Sequence, residues 1–210
     1  IRLMVKQKTQ KNTIVDSTIK HVDDETIFTT RHSQSQAQPS LKRWLKHVFY
    51  FKSSKSVINP TQAQQIADAI RDAEHGHRGE IQVIIEGSLP SDIAFQYNCQ
   101  QRAEQLFAEH RVWDTEYNSG VLIYLNLCEH DVEIVADRGI HQAVTDDYWQ
   151  TVCQSILPFF KKHQFADGIC HAVEQLGETL HQFYIQHETK DSEQKVDPQG
   201  NELSDMPKLL

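Results

Sequence analysis

From Asn59 onward the chain alternates between two hydrophobic rhythms. Ala63, Ile66, Ala67, Ile70 and Ala73 recur at the 3.6-residue period of a single helix face. Asn59 suits an N-cap, Pro60 suits the first helical position, and Gly76 stops the run. Glu80–Glu86 (EIQVIIE) follows as a β-branched run of strand length. Cys99, Ala103, Leu106, Phe107 and His110 then form a second helical stripe. Gly120 opens VLIYLNL, a run that reads as a fully buried strand, and Val132–Ala136 pairs back on it as a hairpin after a tight turn. Thr145 is a cap for a third helix, with Trp149, Val152, Cys153, Ile156 and Phe160 on its face. Pro158 should end or kink that helix, because it lacks a backbone donor and clashes with the preceding turn. A last helix is predicted from about Phe165 to Ile185.

The resulting order predicts an α/β fold. A strand-helix-strand crossover makes the first two long strands parallel, and the hairpin makes the third antiparallel. The small mixed sheet should carry helices on both faces. Lys55–Ile58 offers a further short strand. Outside this block the apolar residues scatter. Residues 1–40 read as a disordered tail ending in the low-complexity SQSQAQPS, and 187–210 read as a second one. Residues 41–55 form a basic aromatic segment with helical character, and 56–186 form the domain.

Charge sharpens this division. Residues 1–55 hold 11 Lys/Arg against 4 Asp/Glu, a balance of +7, while 56–210 hold 10 against 25, a balance of −15. An acidic domain repels nucleic-acid phosphates and attracts cations. Cys99, Cys128, Cys153 and Cys170 lack metal-ligand spacing and sit in apolar runs, as buried free thiols do. No run approaches a bilayer span, and the first residues lack a signal-peptide core, which points to a cytoplasmic protein. No P-loop, GxSxG, HExxH or GxGxxG is present.

VWDTEYNSGVLIYL, followed by VEIVADRGI, resembles the TPM domain family. GEIQVIIE (79–86), NSGVLIYL (118–125) and ILPFFKKHQFADGI (156–169) extend the resemblance over about Pro60–Phe183, with Pro158, Phe160 and Gly168 of matching type. RVWDTE and EIVADRGI resemble a soluble, signal-less bacterial subgroup. The resemblance implies calcium or magnesium binding in some relatives, acid phosphatase activity, and membrane anchoring in many. The family's glycine-leucine-glutamate step reads Gly139-Ile140-His141 here, and an aspartate common before the last helix is Gln164. Asp146 matches a family aspartate.

Topology brings three loops to one sheet end: His77, Arg78 and Glu80; Asp114, Thr115, Glu116, Asn118 and Ser119; and Asp137, Arg138, His141 and Asp146. Asp114, Asn118, Asp137 and Asp146 are oxygen ligands of the kind Ca²⁺ and Mg²⁺ prefer. Arg138 with Asp114, Asp137 and Asp146 forms the candidate catalytic set, since an arginine and a cation together stabilise phosphoryl-transfer charge. Plain structural readings exist as well: Asp146 in a first helical turn, Asp137–Arg138 as a surface ion pair or a loop anchor, Asn118 as a turn residue. His75 and His77 suit a helix C-terminus better than a metal. Lys42, Arg43, Trp44, Lys46, Phe49 and Tyr50 in the basic segment could contact an anionic membrane or a partner, or pack on the domain. Three functions fit: a divalent-cation- or partner-binding module, weakly or not catalytic, at the inner membrane face; a metal-dependent phosphatase; or a protein-interaction scaffold.

Overall fold

A computed structural model describes residues 27–30, 40–141, 144, 146–188 and 201–210. In chain order the elements are β1 (Ile27–Thr30), α1 (Leu41–Val48), α2 (Ser54–Val57), α3 (Pro60–Glu74), β2 (Glu80–Glu86), α4 (Ser91–Ala94), α5 (Cys99–Glu109), β3 (Gly120–Asn126), β4 (Asp131–Asp137), α6 (Arg138–His141), α7 (Asp146–Lys161), α8 (Phe165–Glu188) and β5 (Lys208–Leu209). The sheet runs β1-β4-β3-β2-β5. β2 is parallel to β3 and β5, while β4 is antiparallel to β3 and β1. The α/β class, the parallel crossover and the antiparallel hairpin are as the sequence predicts.

The pleat sorts alternate residues to opposite faces. Ile81, Val83 and Ile85, with Val121, Ile123, Leu125, Val132, Ile134 and Ala136, pack under α3, α7 and α8. Ile84, Leu122, Tyr124 and Val135 face α5 through Ala103, Leu106 and Phe107. Asn59 caps α3 in a capping box with Gln62, and Gly76 at φ 88° ends the helix region. Two glycines are imposed by close approach. A Cβ on Gly120 would lie 1.9 Å from the Val112 carbonyl oxygen, and one on Gly177 would lie 2.7 Å from Cβ of Ala73, where α8 crosses α3.

Four sequence expectations need correction. Lys55–Ile58 forms no strand; Ser53 caps α2 there instead. α7 continues past Pro158 to Lys161. Of the two expectations for this proline, an end to the helix fails: it removes only the one bond to the carbonyl four residues before it, and the rest of the ladder carries the helix on. The two segments read as tails each contribute a strand. Ile27–Thr30 pairs with β4, and residues 201–210 lie along β2. Both strands are too short to show a period and take their hydrogen bonds from long neighbours. The expectations for 1–26, 31–39, 189–200 and the Thr145 cap lie outside the described residues. Among the described residues no helix is long and apolar enough to cross a membrane.

Candidate functional site

The sheet has two polar ends. At the first, β2 and β3 begin and β4 finishes, so the loops that sequence reasoning grouped do converge here. Thr115 Oγ1 accepts the Ser119 amide at 2.9 Å, and Ser119 Oγ donates to the Arg78 carbonyl at 2.7 Å. Asn118 takes φ 51°, in the left-handed region that Asn tolerates in tight turns. These bonds make the β3 entry a fixed turn, with Asp114 and Asn118 exposed on it. The Arg78 guanidinium sits 4.1 Å over the Tyr117 ring.

Asp137, the last residue of β4, is wholly buried. Its Oδ1 accepts the Arg138 amide at 2.5 Å, and its Oδ2 has no partner among the described residues. Burial pushes its carboxyl up to about 6, although the Arg138 amide pulls the other way. Arg138 is exposed, and Ile140 of α6 is buried in the core, which holds that short helix against the strand end. Asp146 opens α7. Of the two plain expectations for Asp137 and Arg138, a surface ion pair fails because Asp137 is buried, while its bond to the Arg138 amide is what a loop anchor makes.

The segment 201–210 covers the β2 side of this end. Glu202 accepts the Glu116 amide, Glu80 Oε2 accepts the Leu203 amide at 3.1 Å, and Gln82 donates to the Ser204 carbonyl. Glu74 Oε1 accepts the Ile81 amide at 2.6 Å, and burial raises its carboxyl to about 9, with Glu80 and Asp205 adding to the rise. His77 is buried, stacks on Tyr184 at 5.7 Å and accepts the Gly79 amide. Burial lowers its imidazole to about 4. His77 is thus a packed core residue, and His75 caps α3.

The far end was not singled out from the sequence. There β3 turns into β4, and α1 and α5 close over the turn. Glu129 accepts Nε of Arg43 at 2.6 Å, Nε2 of His47 at 2.8 Å and Sγ of Cys99 at 3.4 Å. His47 Nδ1 accepts the Leu89 amide, so Nε2 carries the proton given to Glu129. Burial raises the Glu129 carboxyl, but His47 and the Arg43 guanidinium outweigh it and bring it down to about 2. Arg43 Nη1 also donates to the Ala94 and Tyr97 carbonyls. Beside this, Arg102 of α5 grips Glu86 through Nη2 at 2.8 Å, and the Tyr124 hydroxyl donates to the same carboxylate at 2.7 Å.

Cys99, Glu129 and Asp131 form a possible metal-binding group, with ligand atoms all within 4.8 Å of one another. The donor set is a poor fit for a cation. Glu129 already answers a guanidinium, and burial with the nearby Asp131 and Glu129 charges raises the Cys99 thiol well above its usual range. A signal for the polar sheet face that reaches this end does exist in the sequence. Within the apolar strands the polar positions fall at one parity: Glu80, Gln82 and Glu86; Asn126; Asp131, Glu133 and Asp137. They line the α5 face of the sheet.

Of the basic segment, the structure separates the candidates. Arg43 points inward to Glu129, and Tyr50 packs against the core. Trp44 donates Nε1 to the Ser91 carbonyl and is half-buried. Lys42, Lys46 and Phe49 are exposed.

Comparison with known proteins places the whole in context. No curated protein matches the chain. The NMR structure of BA42 protein, from the psychrophilic bacterium Bizionia argentinensis, is similar at 28% identity and a TM-score of 0.58, over 72% of this chain and 94% of that one. The family profile of the TPM domain matches residues 52–179, from the start of the Lys52–Ile58 region to the middle of α8. The chain belongs to the TPM domain family.

Proposed function

We propose that this TPM domain binds a divalent cation at the sheet end built around Asp137, and acts by binding rather than by catalysis. One observation carries the reading. A wholly buried carboxylate whose Oδ2 has no partner among the described residues is costly to keep charged, so it calls for a proton or a cation. Asp114 and Asn118 on the adjoining turn would supply further oxygens, and such ligands suit Ca²⁺ or Mg²⁺. A wholly buried Asp137 suits an ion ligand better than a group that meets a substrate.

The test is thermal unfolding with added Ca²⁺ or Mg²⁺, on the native sequence and on Asp137→Asn. A ligand that binds only the folded state raises its stability by mass action. A cation-dependent rise in the native protein that Asp137→Asn loses supports the site. No rise in either overturns it. A metal-dependent phosphatase is the second reading, favoured by exposed Arg138 next to Asp137. Cation-dependent release of phosphate from phosphomonoesters, lost in Arg138→Ala, would select it over pure binding.

A further inference from the structure

Helix α1 is turned inside out. Its two buried side chains are Arg43 and His47, one helical turn apart. Its apolar side chains face solvent: Leu41 is 63% exposed, Leu45 40%, Val48 37%, and Phe49 just after it 67%. Phe51 follows at 85%. On the helical wheel Leu41, Leu45 and Val48 share one stripe directly opposite Arg43 and His47. Phe95, beside the α4 helix that α1 packs against, is exposed as well. Scattered exposed apolar residues need no explanation, but five within eleven positions form a patch that does.

The polar inward face explains how the helix stays in this orientation. Arg43 is bonded to Glu129 and to the Ala94 and Tyr97 carbonyls, His47 is bonded to Glu129 and Leu89, and Trp44 to Ser91. Rolling α1 over to hide its leucines would strand a guanidinium and break each of these bonds. The outward apolar stripe is therefore held in water by a buried polar anchor.

The chemistry around the stripe indicates what covers it. Lys42 and Lys46 lie on its flank, and Lys52 and Lys55 follow it, all exposed. None of these four lysines has an ion-pair partner among the described residues. No Asp or Glu occurs between Leu41 and Lys55, in a chain whose net charge is −8. Apolar side chains bordered by lysines match an anionic bilayer surface, where the apolar groups enter the acyl boundary and the ammonium groups reach the phosphates.

We infer that α1 docks this protein onto anionic lipid bilayers, inserting Leu41, Leu45, Val48, Phe49 and Phe51 while Lys42, Lys46, Lys52 and Lys55 contact the headgroups. This docking is independent of any cation at Asp137, because the lysines meet the lipid phosphates directly. The attraction is screened by salt.

The experiment is co-sedimentation of the full chain, in EDTA, with phosphatidylcholine vesicles with and without phosphatidylglycerol. Sedimentation with the anionic vesicles alone, released by high salt, is expected. Lys42→Ala and Lys46→Ala should each weaken it about fivefold. Leu45→Glu with Phe49→Glu should abolish it while leaving the thermal unfolding midpoint unchanged, since both side chains are exposed. Absence of binding to anionic vesicles overturns the inference, as does undiminished binding by the Leu45→Glu/Phe49→Glu protein. A dimer in light scattering that those two substitutions dissociate, without vesicle binding, would assign the face to a second copy and overturn it too. EDTA separates this outcome from failure of the cation reading.

Discussion

Arg43 and Glu129 meet across 86 residues of chain through a 2.6 Å bond between Nε and the carboxylate. Both side chains are almost fully buried, at 4% and 6% exposed. The pair ties α1 to the β3–β4 turn, and it is the reason a helix with an apolar outer face stays where it is.

Breaking one side of a buried pair leaves the other charge without compensation. Glu129→Ala should therefore lower unfolding stability by about 3 kcal/mol or more in urea titration. Trp44 emission should shift as α1 loses its anchor. The pH dependence has a definite sign. The folded carboxyl lies near 2, below its ordinary 4.5, so its contribution is full above about 4.5 and is lost as pH falls toward 2. Glu129→Gln should flatten the acid limb of the stability profile across that window.

Asp137 should behave in the opposite way. Its folded carboxyl is raised to about 6 from 3.8, so folding favours the protonated form. Stability from this group is complete below about 3.8 and declines as pH rises through 6. At neutral pH and without divalent cations, Asp137→Asn should stabilise the protein by on the order of 1–3 kcal/mol. The gain should vanish at pH 3.5, as read by thermal unfolding in chelator.

The segment 201–210 protects an edge. Leu210 accepts the Gly87 amide and the Ser54 hydroxyl and donates its amide to the Ile85 carbonyl. Removing 201–210 would leave the β2 amides and carbonyls on that side unpaired, next to a buried apolar run. The truncated protein should unfold at lower temperature and form larger species in size-exclusion chromatography.

The central fold is legible because its strands and helices are long enough to display a period. Gly120-Val-Leu-Ile-Tyr-Leu-Asn126 and the Ala63–Ile70 stripe leave little choice of element. β1 and β5 are not legible, because IFTT and KL carry no pattern of their own and become strands only when a neighbour offers its edge. α1 misleads for a different reason. Its apolar residues lie on the solvent side, so a reading that sends apolar faces inward places the helix upside down. At the sites, topology alone brings the Asp114, Asn118 and Asp137 loops to one end. That Asp137 is fully buried while Asp114 is exposed depends on tertiary packing. The Arg43–Glu129 and Arg102–Glu86 contacts join distant segments, and no local spacing announces them.

The place of β5 in the sheet also sets an order of events. The Leu203 amide reaches Glu80 across 123 residues, and Ser54 reaches Leu210 across 156. Contacts between such distant segments form late, since closing a long loop must precede any reward from pairing. The parallel β2–β3 pair and the β3–β4 hairpin can assemble before that closure. The flank that β5 covers is therefore the part of the sheet whose protection depends on the longest closures, and opening there alone would expose β2 to association with other chains.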